Sequence, residues 1–242
     1  MQSEKSLLQL NPAFKFRQFS ICSSGLCFPV TTDSVLLGAW AEIGASAHIL
    51  DIGTGSGLLA IMLAQRSDQS SVIDAVETDP LAVKVAEANV KNSAWTAKIK
   101  VQHSLIQNFV PNERYDVIIC NPPYFDEKVY SPSALKNKQR HQTSLDFNEL
   151  SIVCDLFLQQ KGSIFVVVPF NKEPQLSSSF LSKSIYCVKM TKVYHYKHSE
   201  PSIALLKYGR SLASIELHHL ILYDVQGKRS HDYHHLVKDF YL

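Results

Sequence analysis

The stretch Ala47–Ala60, AHILDIGTGSGLLA, sets the architecture of this 242-residue chain. Its first five residues are a short apolar run ending in an acid, the pattern of a strand buried on both faces. Glycines then stand at every second position, Gly53, Gly55 and Gly57, and Leu58–Arg66 carries apolar residues at helical spacing. Strand, glycine turn and helix together open a βαβ unit.

The same alternation continues on the C-terminal side. Ser71–Glu77 is a second strand; Asp79-Pro80 is an N-cap with proline at the first helical position, and Leu81–Val90 is an Ala-rich helix. Ile99–Gln102, Tyr115–Cys120 and Ser163–Val168 read as further strands, the last after a helix over Asp146–Gln159. Strands that alternate with helices predict an α/β, Rossmann-like doubly wound fold with a mostly parallel sheet. Three β-prone runs with short connections, Ser184–Tyr194, Ser202–Tyr208 and Ser214–Tyr223, predict an antiparallel C-terminal edge, and a helix follows over Asp232–Tyr241. On the N-terminal side, Thr32–Ala41 reads as a helix capped by Thr32 or Asp33. The expected organisation is residues 1–45 as an extension packed on a domain of residues 46–242, the two forming one structural domain overall.

Composition narrows the function classes. Charged residues make up 19% of the chain against roughly 25% in average globular proteins, which excludes a solvated, disordered tail protein. No apolar run reaches the ~18 residues of a membrane span, and Met1–Leu10 lacks the layout of a secretion signal. The expectation is a cytoplasmic protein without membrane contact. The five cysteines form no Cys-x-x-Cys pair, so neither a disulfide framework nor a zinc site is expected. The histidines His218, His219, His231, His234 and His235 lack a cysteine or carboxylate at ligand spacing, so no metal is expected there either. Net charge is unevenly spread: residues 161–242 sum to +5 while residues 51–120 sum to −2. A basic lobe suits an anionic partner such as nucleic acid.

The glycine turn and the second strand point to a nucleoside. Ligands of doubly wound sheets bind at the carboxyl ends of the strands, and glycines there allow close backbone approach. Glu77 ends its strand 22 residues after Gly55, where an acid accepts ribose hydroxyls. Gly55-x-Gly57-x-x-Ala60 also fits the dinucleotide fingerprint, which keeps an NAD-binding oxidoreductase open. Asp51, two residues before the first glycine, argues the other way: its carboxylate repels a pyrophosphate and suits a cationic amino-acid end. S-adenosylmethionine has a ribose, an ammonium and a sulfonium, and no phosphate.

The fourth strand runs into Asn121-Pro122-Pro123-Tyr124. Two prolines stiffen the loop and remove backbone donors. The Asn121 side-chain oxygen and the Pro122 carbonyl then accept from one planar NH2 group. The lone pair of such a nitrogen is conjugated, and two acceptors off its plane favour the tetrahedral form that attacks a methyl group. Tyr124 offers a stacking face for a flat substrate.

In this combination the chain resembles the class I S-adenosylmethionine-dependent amino-methyltransferases, whose signature is an Asn-Pro-Pro-Tyr loop after strand four. The resemblance extends further. Phe16-x-Gln18-Phe19, Thr32-Asp33-x-x-Leu36-Leu37-Gly38-Ala39-Trp40, the turn from Asp51 to Ala60, Asp74-Ala75-Val76-Glu77, Arg140, Leu145-Asp146 and Phe240-Tyr241-Leu242 occur in order. Over nearly the whole chain this is similar to the bacterial tRNA1(Val) (adenine-37-N6)-methyltransferase family. That resemblance implies methylation of N6 of adenine 37, beside the anticodon. It implies catalytic roles for Asn121, Pro122 and Tyr124, and a cofactor site of Asp51, Gly53, Gly55, Gly57, Glu77, Thr32, Asp33 and Ser104. Many members carry an acid just after strand three; here His103-Ser104-Leu105-Ile106 has none, and Ser104 or backbone takes its place.

Lys128, Lys136, Lys138, Arg140 and His141, with Tyr130 among them, lie in Lys128–His141 with no intervening acid. Basic residues track phosphates and aromatics take bases, so these are the expected contacts to a tRNA anticodon loop. No protein partner is implied. A protein glutamine-N5 methyltransferase remains open, since a glutamine amide also offers a planar NH2. Against it, only about 45 residues precede the first strand, too few for the separate N-terminal helical domain of glutamine-specific enzymes.

Overall fold

The computed structural model describes residues 13–23, 29–122 and 145–241. Ten strands and six helices are described. The short strands β1 (Phe14–Lys15) and β2 (Ser20–Ile21) pair antiparallel. The first helix is α1 (Thr32–Trp40). The parallel core then follows as β3 (His48–Ile52), α2 (Leu58–Arg66), β4 (Val72–Glu77), α3 (Pro80–Lys91), β5 (Ile99–His103) and β6 (Tyr115–Cys120). The rest is α4 (Phe147–Phe157), β7 (Leu158–Pro169), α5 (Glu173–Leu181), β8 (Tyr186–Tyr194), β9 (Pro201–Gly209), β10 (Glu216–Ile221) and α6 (His231–Val237).

Strands β3 to β10 form one sheet in the order β10-β8-β9-β7-β6-β3-β4-β5. From β5 to β7 every pairing is parallel; β9 runs against both β7 and β8. The C-terminal edge differs from the expected run of antiparallel strands in one respect. β10 does not return beside β9 but crosses to the far side of β8 and pairs parallel with it, Glu216 opposite Lys189 through Ile221 opposite Tyr194. Reversal is therefore confined to β9.

Alternate residues of the central strands serve opposite layers, as the pleat requires. Ile49, Ile73, Val117, Ile119, Phe165, Val167 and Leu205 pack with α1, α2 and α6. Leu50, Val76, Ile118, Cys120, Ile164, Val166 and Leu206 pack with α4 and α5. Coverage on both faces explains why these strands read as unbroken apolar runs.

The N-terminal segment belongs to the first layer: Phe16, Phe19 and Ile21 are buried there, Phe16 stacks on Phe19 and on Tyr241, and the Arg17 amide donates to Phe240 O at 2.8 Å. Helix α1 is capped by Thr31, whose hydroxyl accepts from the Ser34 amide, and not by Thr32 or Asp33. Helix α4 opens with a capping box between Asp146 and Glu149 and stops at Phe157, two residues before the expected end, because Leu158 already pairs with Tyr115 of β6.

Candidate active site

Register places the site. Ile52 of β3 lies opposite both Val76 of β4 and Cys120 of β6, and Glu77 lies opposite His103 of β5. The next residues along these strands are Asn121, Gly53 and Ser104, so Asn121, Gly53, Glu77 and Ser104 line one carboxyl edge. With strands about 4.8 Å apart, Asn121 and Glu77 stand roughly 10 Å apart on either side of the glycine turn. The chain winds one way from β3 to β4 and β5 and the other way to β6 and β7, so the crevice at this edge is the topological switch point.

Asp51 is fully buried, and its Oδ2 accepts from the Thr54 hydroxyl at 2.6 Å and the Ala60 amide at 3.1 Å. Gly57 is the N-cap of α2 in left-handed conformation, φ +81°, and has no side chain to cap with. Asp51 therefore supplies the cap from the preceding strand. Its other oxygen, Oδ1, is enclosed without a partner. Burial, with Glu77 nearby, raises its carboxyl to about 7. The Ala60 amide that Asp51 occupies is among the α2 N-terminal donors a pyrophosphate would need, which counts against the dinucleotide alternative.

The turn stays open beside its backbone. Gly53 and Gly55 have φ of +70° and +57°, and a Cβ built at either meets nothing within 4 Å. The Gly53 and Thr54 amides donate to Val76 O, and the Gly55 amide donates to Glu77 Oε2 at 2.9 Å. Glu77 Oε1 accepts from the Thr78 and Asp79 amides at 2.8 and 2.9 Å. Three amides thus fix the carboxylate, and Oε2 retains a second lone pair. Ser104 follows directly: its amide donates to Glu77 O and its hydroxyl to Leu105 O. An enclosed, unpartnered carboxylate oxygen, an aimed glutamate and bare backbone suit a ligand with a cationic end and a ribose, so these residues fit S-adenosylmethionine.

Asn121 Nδ2 donates to Ser34 Oγ of α1 at 2.7 Å, and Ser34 Oγ in turn meets Thr31 Oγ1 at 3.0 Å. Pro122 is buried. Helix α1 thereby fixes the orientation of the Asn121 amide, a role for Ser34 that sequence reading missed; the only signal was its neighbourhood to Thr32 and Asp33. Those two make no hydrogen bond to the glycine turn or to Glu77 among the described residues. Asp33 is half-buried and its carboxyl is raised by that burial, opposed by the charge of His195. Tyr124, Lys128, Lys136, Lys138, Arg140 and His141 lie outside the described residues.

Asn89 of α3 is a second residue with no sequence signal. It is buried, its Oδ1 accepts from the Cys22 amide, and its Nδ2 donates to Cys22 O and Ser56 O, each at 2.9 Å. It ties the N-terminal segment to the glycine turn. Among the described residues no group of three or more His, Cys, Asp and Glu is placed to hold a metal ion, and no helix is long and apolar enough to cross a membrane.

A parallel sheet with a switch-point crevice, a capped glycine turn and an Asn-Pro strand end define a methyltransferase domain, and the model of the methyltransferase small domain matches residues 32–189. A predicted O-methyltransferase from Agrobacterium tumefaciens shares the fold, with a TM-score of 0.67 at 16% identity over 86% of this chain and 96% of that one. Sequence relatives go further. The tRNA1(Val) (adenine(37)-N6)-methyltransferase of Aliivibrio salmonicida is 38% identical over 234 residues, 96% of this chain and 99% of its own length. That of Haemophilus influenzae is 35% identical over 237 residues, 95% and 98% respectively. The chain belongs to the tRNA1(Val) (adenine(37)-N6)-methyltransferase family.

Proposed function

We propose that this chain transfers a methyl group from S-adenosylmethionine to N6 of adenine 37 in tRNA1(Val), in the cytoplasm. The observation that carries the reading is the single carboxyl edge on which Gly53, Glu77 and Asn121 stand on neighbouring strands, with Asp51 buried just inside it on β3 and Asn121 oriented by α1. The names of the relatives supply the substrate.

In this reading Asp51 Oδ1 receives the ammonium end of the cofactor, Glu77 Oε2 accepts a ribose hydroxyl, Gly53 and Gly55 admit close approach, and Ser104 lies toward the adenine. Bound there, S-adenosylmethionine supplies a methyl group on a cationic sulfur. Asn121 Oδ1 and the Pro122 carbonyl accept from the exocyclic amine of the substrate adenine and turn its lone pair out of conjugation. Ser34 keeps the Asn121 amide from rotating, so that alignment is set before the substrate arrives. The proton lost from nitrogen becomes acidic on alkylation and leaves to water, so no side-chain base is needed. Tyr124 stacks on the adenine, and Lys128, Lys136, Lys138, Arg140 and His141 follow the phosphates of the anticodon loop.

The test is methyl transfer to unmodified tRNA by wild type and by Asn121→Ala. Wild type should yield N6-methyladenosine. The variant should lose on the order of a hundredfold in kcat, as when one preorganised polar group is removed, with cofactor affinity unchanged. Substantial turnover by the variant would show that the amine is held by other groups.

A further inference from the structure

Two cations, Lys15 and Arg229, and a histidine, His234, meet in a second concavity that the proposed reaction does not use. Beside the N-terminus of α1 lies a groove of about 520 Å³, lined among others by Lys15, Thr31, Arg229, Tyr233, His234 and Tyr241, and no acid among the described residues lines it. It forms where the N-terminal strand pair, the start of α1 and α6 come together. Arg229 is built into its wall. The guanidinium lies 4.4 Å from the ring centre of Tyr223 and 4.2 Å from that of Tyr233, a slot between two aromatic faces. It makes no hydrogen bond or ion pair with any described residue, and its Nη1 is enclosed without an acceptor.

A fixed, partly enclosed cation with no counter-charge stands ready for an anion, and its planar fork matches phosphate. Lys15 and His234 add two exposed cationic or hydrogen-bonding groups on the same groove. Phe14, 42% exposed, and Tyr241 add aromatic surface. The groove also connects to the reaction site by a short chain of contacts. Thr31 lines it, the Thr31 hydroxyl meets Ser34 Oγ at 3.0 Å, and Ser34 Oγ accepts from Asn121 at 2.7 Å. Two hydrogen bonds thus link the wall of the groove to Asn121.

We propose that the groove is a phosphodiester subsite for the RNA substrate, in which Arg229, aided by Lys15 and His234, holds a backbone phosphate flanking the reacting adenosine. The inference rests on the RNA function proposed above, yet it concerns residues outside both the cofactor turn and the Asn121 loop.

The test uses the full chain, an unmodified anticodon stem-loop RNA and four proteins: wild type, Arg229→Gln, Lys15→Gln and His234→Gln. Because Arg229 is packed between two rings, the exposed Lys15 and His234 variants keep the test independent of folding. Arg229→Gln should weaken RNA binding about tenfold at low salt and flatten the slope of log affinity against log salt by about 0.7, one phosphate contact on a single strand. Lys15→Gln should do the same to a smaller degree, and cofactor affinity should stay at the wild-type value in all. Wild-type RNA affinity and slope in all three variants, with wild type methylating RNA, would overturn the subsite and leave the RNA function intact. Failure of wild type to methylate any RNA would instead remove the function it rests on. A third arm titrates inorganic phosphate: stabilisation of wild type but not Arg229→Gln by phosphate, with RNA binding unaltered, would mark a free-anion site and overturn the proposal.

Discussion

Asp51 serves two ends through two oxygens: Oδ2 caps α2 and Oδ1 is left without a partner. The consequence is a pH dependence with a definite sign. Its carboxyl, raised from 3.8 to about 7, holds its proton more tightly in the folded chain than in the unfolded one. The cofactor-free protein should lose stability as pH rises from about 4 to 7, by at most on the order of 4 kcal/mol, and then level off. Urea unfolding at pH 5 and pH 7.5 checks this, and Asp51→Asn should remove the difference. Binding runs the opposite way. A cationic ligand needs the carboxylate, so cofactor affinity should rise with pH, about tenfold per unit below 7, and reach a plateau above it. Calorimetry on Asp51→Asn should find weaker binding without that slope. Glu77→Gln belongs at the same scale. The amide keeps one acceptor in place of a carboxylate that holds three N–H groups, and each charge-assisted bond so removed is worth about 1.5–3 kcal/mol. Cofactor binding should weaken while RNA binding holds; unchanged cofactor affinity would remove Glu77 from the site. The positions of Asp51, Glu77 and Asn121 in the fold were legible in the sequence because each lies within one residue of the end of a recognisable strand. Ser34 was not, since its contact with Asn121 depends on how α1 packs on the sheet, a separation of 87 residues that carries no local pattern.

Among elements, α3 does more than cover β4. Through Asn89 it holds Cys22 and Ser56 together, so one helix joins the N-terminal segment to the glycine turn. Asn89→Ala leaves the buried Ser56 carbonyl and the half-buried Cys22 amide and carbonyl without these partners and should cost about 2–3 kcal/mol by urea unfolding. It should also weaken cofactor binding, because the turn loses its anchor at Ser56. A variant of wild-type stability would show that water replaces the amide at no cost. The parallel strands and their helices were legible because short apolar runs, buried on both faces, alternate from Ala47 to Gln102 with segments of 3.6-residue apolar spacing. The rear of the chain was harder. β-prone runs with short connections fix that strands are neighbours but not which side of the sheet receives the last one, and β10 went beyond β8. Helix α5, Glu173–Leu181, escaped because three consecutive serines interrupt its apolar spacing. The join of α4 to β7 carries no glycine or proline, so nothing local marked where helix gave way to strand.

Across the whole molecule, positive charge is concentrated in the last third of the chain: residues 161–242 sum to +5, and Arg229 and His234 of that segment line one groove with Lys15 beside α1. Long-range attraction of that kind accelerates encounter with a polyanion and falls with salt. Reversing the charges of Lys136, Lys138 and Arg140 together should lower tRNA affinity, with cofactor binding intact. The salt slope should flatten by about 0.7 for each phosphate no longer neutralised. An unaltered slope would place the RNA elsewhere. Because an unpaired anticodon-loop adenine needs little energy to leave its stack, the enzyme should act on the loop and spare adenines in the stems. The decisive measurement is mass spectrometry of ribonuclease fragments of tRNA1(Val) after incubation with the enzyme and isotopically labelled S-adenosylmethionine. One labelled methyl group per tRNA, on N6 of adenine 37, is the expected result. Label at another nucleoside, label only in protein glutamine, or no label at all would refute the proposed reaction.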